Sequence, residues 1–398
     1  MEAAGDRRYG RETSQRHLIF TVRPPAPASG RFHCSLSNPS LSCTPPRKIG
    51  VLFTFDSAHF GVVCLILTRE GETGLRVRVF YHDKCFDGAS SAALFSRFYR
   101  ERIRSDVEFV FSGLLHRAGS LFDEKNFDGD ENAIVDFKYS SSPKITWWFD
   151  HHESAFLSPA DAAHFEQDQS NRKFYDPDFK SCTSFIATIA EQRFGFDPKP
   201  VADLVHWTDI IDGAMYADAR TAVEMQAPAM KLTMIIESNQ THGFVPKLIP
   251  LLATKSLAEI IEEPFVASLL PPLLERHQRS MAILGDRIES KDGTIFFDVT
   301  DHELEGYNKF VPYYLHPESI YSVGLSKSTF RVKVSVGSNP WAPSEPVVNL
   351  AKICERYGGG GHARVGAISF EVTQQNEARK AAHEIVEELR SAVRAQGQ

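Results

Sequence analysis

Residues 145–152 read Ile-Thr-Trp-Trp-Phe-Asp-His-His, a short apolar run that ends in one carboxylate and two imidazoles. The apolar part has the length and composition of a buried β-strand. Placing Asp150, His151 and His152 at the edge of such a strand costs free energy unless something compensates for the loss of water. A shared divalent cation would compensate for several of these side chains at once, and mixed oxygen and imidazole ligands suit Mn²⁺ or Mg²⁺, with Zn²⁺ as an alternative.

Two predicted strands upstream end in polar groups of the same kind. Leu75 to Tyr81 alternates in the manner of a strand, and the segment that follows it, residues 82–88, reads His-Asp-Lys-Cys-Phe-Asp-Gly. Ala133 to Phe137 is a second apolar run, and it contains Asp136. The spacing of apolar residues predicts a helix over 89–104, and strands separated by helices indicate a parallel α/β sheet. Because ligands bind at the carboxyl ends of parallel strands, these polar side chains are candidates for one site.

The remainder of the chain predicts a helical region followed by a second αβ unit. Residues 182–287 are mostly helical in pattern and contain Asp209 and Asp212. The second unit begins near Thr294. Its predicted elements are strands at 294–297, 330–336 and 365–372, a helix at 348–357, and a final helix with Ala378, Ala382, Ile385, Leu389 and Val393 on one face.

These patterns predict an α/β protein with two folded domains. We expect a parallel-sheet domain at 75–225, a helical linker at 226–288 and a smaller α/β domain at 289–398. Residues 1–74 are rich in proline, serine and arginine without sustained periodicity, and they predict a disordered extension.

Composition narrows the classes of partner and location. The formal net charge of −7 argues against a long, nonspecific nucleic-acid groove, which needs basic residues. The six cysteines form no Cys-x-x-Cys pair, which favours a reducing compartment such as the cytoplasm. The apolar runs fall short of the roughly 20 residues needed to cross a bilayer, so no membrane partner is expected.

The polar motifs resemble those of the DHH phosphoesterase superfamily. Asp87-Gly88, Asp136, Asp150-His151-His152 and Asp209 stand in the order of its motifs I to IV, and residues 358–362, Gly-Gly-Gly-Gly-His, resemble the signature of the associated DHHA1 domain. The resemblance covers residues 76–398. It implies a DHH domain, a DHHA1 domain and hydrolysis of phosphate esters or phosphodiesters with one or two divalent ions.

The resemblance also implies roles for individual residues. His82, Asp87, His151 and Asp209 would be metal ligands, and Asp136 would bridge two ions. His152 would face the substrate, and Asp150 would ligate or orient its neighbours, so both are candidate catalytic residues. The implied cofactor is a pair of Mn²⁺ ions, with Mg²⁺ or Zn²⁺ as alternatives. The implied partner is a nucleotide or short oligonucleotide, and a homodimer is one option for assembly.

The sequence departs from the family pattern in the first motif. An aspartate usually stands where this chain has Cys85, which could still ligate as a thiolate and make the site softer. Asp83 is an alternative ligand there, as Asp212 is for Asp209. A small buried apolar role for Cys85 is equally open.

A second departure concerns the C-terminal domain. Many relatives carry a phosphate-binding arginine at the position that matches Gly337 of this chain, and Arg364 is a candidate replacement. The glycine run permits close backbone approach and positive φ, so Gly359, Gly360 and Gly361, with His362, could form an anion site. Alternatively, Gly358 simply ends the preceding helix.

Three functions are compatible with the sequence. We favour an enzyme that hydrolyses short nucleotide-type substrates. The alternatives are a single-strand exonuclease, and a DHH-like binding or scaffold protein whose metal site has decayed at Cys85. The joint presence of the other candidate ligands speaks against decay.

Overall fold

The computed structural model describes residues 74–116, 121–302, 304 and 306–396, and Thr73–Gln398 form one compact unit. Apart from Gly74, the predicted extension lies outside the described residues. The predicted boundaries at 225 and 288 stay predictions.

The first sheet is entirely parallel, as the sequence predicted. Its strands are β1 (Leu75–His82), β2 (Val107–Leu114), β3 (Glu131–Val135), β4 (Ile145–Asp150) and β5 (Lys173–Tyr175), in the order β2-β1-β3-β4-β5. Trp147 packs with Phe149 on one face, and Trp148 packs with Phe80 and Ile134 on the other. Neighbouring residues of a strand point to opposite faces, so the sheet is buried on both sides.

Thirteen α-helices are found in the described part of the chain. They are α1 (Phe86–Arg102), α2 (Pro159–Glu166), α3 (Cys182–Phe194), α4 (Ala202–Asp212), α5 (Ala219–Val223), α6 (Pro228–Ser238), α7 (Phe244–Leu252), α8 (Leu257–Ile261), α9 (Pro264–Ala267), α10 (Leu270–Arg287), α11 (Val311–Leu315), α12 (Leu350–Glu355) and α13 (Gln375–Gln396). A short 3-10 helix at Lys199–Val201 precedes α4. None of these helices combines the length and apolar character that crossing a membrane requires.

The second sheet is mixed. Its strands are β6 (Glu289–Lys291), β7 (Thr294–Asp298), β8 (Tyr321–Lys327), β9 (Val332–Ser338), β10 (Gly360–His362) and β11 (Val365–Phe370), in the order β10-β11-β9-β8-β7-β6. The pair β7 and β8 is parallel, and the other pairs are antiparallel. The apolar face predicted for α13 packs against this sheet, with Ile385 and Leu389 completely buried. The α/β fold class with two sheets is therefore confirmed.

The start of α1 is pressed against the end of β1. A Cβ atom at Gly88 would collide with the carbonyl oxygen of His82, so only glycine fits at this position. The close approach brings Asp87, in the first turn of α1, to the carboxyl end of the sheet.

Candidate metal centre

Side chains from the ends of β1, β3 and β4 and from two helices converge at the carboxyl edge of the parallel sheet. Asp136 lies between two imidazoles: its Oδ2 is 3.5 Å from His82 Nδ1, and its Oδ1 is 3.5 Å from His151 Nε2. The same His151 nitrogen is 3.6 Å from Asp87 Oδ2 and 3.4 Å from Asp212 Oδ2. The site therefore has a row of nitrogen and oxygen atoms at nearly equal spacing.

Three overlapping sets of side chains have the proximity required to hold an ion. Within each set the candidate ligand atoms lie within 4.8 Å of one another. The sets are His82, Cys85 and Asp136; Asp136, His151 and His152; and Asp87, His151 and Asp212. Asp136 and His151 each belong to two sets, which is the arrangement that ligands shared between neighbouring ions would have.

Several of these atoms are buried without a hydrogen-bond partner. They are both carboxylate oxygens of Asp136, Nδ1 of His82, Nε2 of His151 and Oδ2 of Asp150. Buried polar atoms in folded proteins nearly always have a partner, and leaving a charged one unpaired is costly. The donor set of carboxylates, imidazoles and one thiol fits a divalent cation, which would supply the missing partner for most of these atoms at once.

Asp136 is aimed into the site by an unusual backbone conformation. Its φ angle is +56°, in the left-handed region that aspartate tolerates better than most residues. Its N–H donates to the carbonyl of Phe149 at 2.9 Å, which ties the end of β3 to β4. The strained turn therefore places the Asp136 carboxylate between neighbouring strand ends.

Asp87 is held by the N-terminus of α3. The N–H of Cys182 donates to its Oδ2 at 2.7 Å, and Thr183 donates to its Oδ1 through the backbone N–H at 2.9 Å and through the hydroxyl at 2.6 Å. Free N–H groups at a helix start attract an anion. The carboxylate is therefore fixed with Oδ2 toward His151.

Asp150 orients the two histidines that follow it. Its Oδ1 accepts from the His151 N–H at 2.9 Å and lies 2.7 Å from His152 Nδ1. His151 Nδ1 lies 3.0 Å from the carbonyl of Phe179, which leaves Nε2 directed into the cluster. Asp150 belongs to none of the three sets, so of its two predicted roles these contacts support orienting rather than ligating.

The structure does not bring Asp209 into the three sets and places Asp212 there instead. Asp209 Oδ1 accepts a hydrogen bond from the Ser181 hydroxyl at 2.6 Å. Ser181 caps the start of α3, the helix whose N-terminus holds Asp87. Three residues later, Asp212 is the last residue of α4 and faces His151. The two carboxylates share one helix face, so the sequence pattern alone could not choose between them.

The cluster perturbs the protonation of its members. Burial by itself would raise the pKa of Asp136, but the adjacent His151 and His82 imidazoles lower it to about 2. Burial opposes the protonation of His151, but Asp136 and Asp87 outweigh it and raise the pKa of His151. Burial and then the charges of Asp136 and Asp87 raise the pKa of the Cys85 thiol. While no cation is bound, these shifts favour the protonated forms of the His151 imidazole and of the Cys85 thiol.

The glycine run has a packing role in the structure. The N–H of Gly358 donates to the carbonyl of Glu355 at 3.1 Å, and that of Gly359 donates to Cys354 at 2.9 Å. A Cβ atom at Gly359 or Gly361 would collide with backbone oxygens of β11. The N–H of Gly359, one of the expected anion-binding groups, thus bonds to the end of α12 together with that of Gly358, whose bond fits its alternative role of ending the helix. Close approach of β10 to β11 accounts for Gly359 and Gly361, and His362 is exposed.

Arg364 instead lines a cavity of about 280 Å³ on the second sheet. Lys309, Lys333 and Tyr307 line it as well, and its described lining residues include no carboxylate. Gly337 also lines this cavity, and a Cβ atom there would approach the Tyr313 hydroxyl to 2.7 Å. Tyr313 therefore occupies the space that an arginine at position 337 would need. The sequence did not point to Tyr307, Lys309 or Lys333, because no local motif distinguishes them.

Comparisons with known proteins identify the fold. No family model and no curated protein matches the sequence. The chain is similar in structure to the pGpG-specific phosphodiesterase PggH from Vibrio cholerae, with a TM-score of 0.54 and 18% identity over 81% of this chain and 99% of that one. It is also similar to the DHH domain of a protein assigned to a family of ribosomal proteins. That match has a TM-score of 0.50 and 13% identity, and it covers 79% of this chain and 87% of that one. RecJ from Thermus thermophilus, solved with Mn²⁺, gives a TM-score of 0.46 and 14% identity, and the match covers 79% of this chain and 52% of RecJ. The described part of this chain has the fold of the DHH-domain proteins, which the order of its motifs predicted.

Proposed function

We propose that this chain is a metal-dependent phosphodiesterase that hydrolyses short nucleotide-type substrates. The observation that carries the proposal is the set of buried, unpartnered oxygen and nitrogen atoms around Asp136. A protein that only needed stability would not be expected to retain so many buried polar atoms without hydrogen-bond partners in one place.

The chain would hold two ions through different residues. His82, Cys85 and Asp136 would hold one, and Asp136, His151, Asp87 and Asp212 would hold the other. When bound, the ions would supply Lewis-acid activation of water and of the phosphoryl group. We propose Mn²⁺ first because the ligands mix oxygen and imidazole, with Mg²⁺ or Zn²⁺ as alternatives.

His152 is the residue that we propose to act on the substrate itself. Its side chain is 36% exposed, and Asp150 engages its Nδ1, so Nε2 is left to face the substrate. Hydrogen bonding to Asp150 raises the pKa of His152 despite partial burial. A proton held at Nε2 can bind a phosphoryl oxygen or be passed to the leaving oxygen.

The cavity of about 280 Å³ on the second sheet, called the cation-lined cavity below, supports the proposal of a nucleotide-type substrate. Lys309 and Lys333 offer positive charge to a phosphate, as does Arg364, which is ion-paired with Glu345 at 2.8 Å. Tyr307 offers an aromatic ring. Ala214, two residues after Asp212, also lines the cavity. We therefore propose that substrate extends from the metal centre into this cavity. The fold neighbour PggH acts on pGpG, which is a short nucleotide-type substrate of the kind proposed here.

The proposal is tested by a Mn²⁺-dependent activity panel run on one preparation. Short oligoribonucleotides, cyclic dinucleotides, 3′-phosphoadenosine 5′-phosphate and polyphosphate are compared side by side. We expect Mn²⁺-dependent release of nucleotides from the short substrates, abolished by EDTA. No hydrolysis of any of them would contradict the proposal and favour the decayed scaffold. A long single-stranded oligonucleotide is assayed in parallel, and faster hydrolysis of it than of the short substrates would favour the exonuclease. A homodimer and a cytoplasmic location stay predictions.

A further inference from the structure

A second cavity, of about 470 Å³, adjoins the cation-lined cavity. Its size falls within the range of roughly 300–1,000 Å³ that small-molecule sites occupy. The residues that line both cavities are Ala214, Gly306, Tyr307, Lys309, Phe310 and Lys333. The two cavities therefore share a wall, and a ligand bound in one would lie next to the other.

The walls of the second cavity combine thioethers with hydrogen-bonding groups. Met225, Met230 and Met234 line it together with Leu273. Methionine side chains adapt their shape and make favourable contacts with aromatic rings. The polar lining residues include Thr233, Ser238, Glu237, Arg276, His277 and Ser280. Apolar walls with a few polar groups suit a flat heterocycle with a hydrogen-bonding edge, and a nucleobase is such a ligand.

Glu237 is the lining residue with the most specific chemistry. Its side chain is open to solvent at the cavity, and its carboxylate accepts no hydrogen bond from the described residues. Although the side chain is exposed, the atoms around its carboxylate desolvate it and raise its pKa, and the charge of Lys309 opposes that shift. Arg276, another residue that lines this cavity, donates to Ser238 at 2.9 Å. An ionised carboxylate is purely an acceptor. Guanine presents two adjacent N–H donors on its Watson–Crick edge, whereas adenine presents one donor and one acceptor.

We propose that the methionine-lined cavity is a nucleobase subsite and that Glu237 selects guanine over adenine in it. The inference rests on the proposed function, because the base would belong to the phosphodiester substrate. Lys309 and Lys333, which line both cavities, would then lie near the phosphate that joins this base to the remainder of the substrate.

The test is isothermal titration of the full chain in EDTA with pGpG and with pApA. The wild-type protein should bind pGpG at least about fivefold more tightly, since one bidentate pair discriminates by roughly 1–3 kcal/mol. Glu237→Gln keeps the shape but offers one donor and one acceptor, so pApA should now bind as tightly as pGpG or more tightly. Glu191→Gln, a charge-matched change at an exposed position of α3 that lines neither cavity, should leave the wild-type ratio unchanged.

A second pair of variants tests the cavity independently of the carboxylate. Met234→Trp should fill the cavity and weaken both dinucleotides about tenfold or more, whereas Lys231→Trp on the same helix should not, since Lys231 lines neither cavity. The subsite would be overturned if the wild-type protein bound pGpG and pApA equally tightly. It would also be overturned if Glu237→Gln left the ratio of these two affinities unchanged, or if Met234→Trp weakened neither dinucleotide. Mn²⁺-dependent hydrolysis without base preference would refute this inference and keep the proposed function. Preferential binding of pGpG without any hydrolysis would refute the proposed function and keep the nucleobase subsite.

Discussion

Asp212 Oδ2 lies 3.4 Å from His151 Nε2, on the same face of α4 as Asp209, which instead accepts a hydrogen bond from Ser181. One carboxylate of α4 thus faces the candidate metal centre, and the other supports the start of α3. The two positions form a matched pair, because each can be changed to asparagine with almost no change of shape.

Asp212→Asn should lower the affinity for divalent ions by at least about tenfold, because it removes a charged ligand beside His151. Asp209→Asn should change it much less, since its amide oxygen can still accept from Ser181. Isothermal titration of both metal-free variants with Mn²⁺ checks the prediction. A larger loss of affinity in Asp209→Asn would return the ligand role to Asp209.

Asp136→Ala should abolish phosphodiester hydrolysis with little loss of fold. The carboxylate belongs to two of the candidate ligand sets, and its removal relieves repulsion with Asp87 and Asp212 in the metal-free protein. Activity is measured with the best substrate of the panel, and thermal unfolding is measured in EDTA. Near-normal turnover by the purified variant would mean that the metal centre lies elsewhere.

The fold and most of the candidate site could be predicted because their signals are local. The strands β1, β3 and β4 each end within a few residues of candidate ligands, and Asp136, His151 and Asp87 need only strand order to meet. The choice of Asp212 depends on how α4 docks, which sequence spacing does not show. The predicted strand at 330–336 lies at 332–338, and β8 was missed because Ser322, Gly324 and Ser326 interrupt its apolar residues. The cavity residues come from distant segments without any shared motif.

Cys85→Asp should shift metal preference toward Mn²⁺ or Mg²⁺ and away from softer ions such as Zn²⁺. Cys85 lies in one candidate set with His82 and Asp136, and a thiolate prefers a softer ion than a carboxylate does. Metal-dependence curves for wild type and variant measure the shift. In the wild type, bound metal should also protect against a thiol-directed oxidant. Identical curves and identical oxidant responses would leave Cys85 as a small buried side chain.

Arg364→Ala should mainly raise KM, because Arg364 lines the cation-lined cavity and would contribute binding shared by ground and transition states. Its exposed ion pair with Glu345, at 2.8 Å, is expected to contribute less than about 1 kcal/mol to stability. Glu345→Gln is therefore a useful control, which should leave KM nearly unchanged. A lower kcat with unchanged KM in Arg364→Ala would instead assign Arg364 to the chemical step.

We propose that the atoms around Asp136 hold two neighbouring divalent ions. The most direct measurement is a Mn²⁺ titration of the metal-free full chain. Calorimetry counts the bound ions, and electron paramagnetic resonance detects whether they are coupled. We predict two ions per chain with spectra of a coupled Mn²⁺ pair, and loss of the coupled spectrum in Asp136→Asn. If the wild-type chain binds no ion, the proposed metal centre is contradicted. It is also contradicted if the coupled Mn²⁺ spectrum persists unchanged in Asp136→Asn.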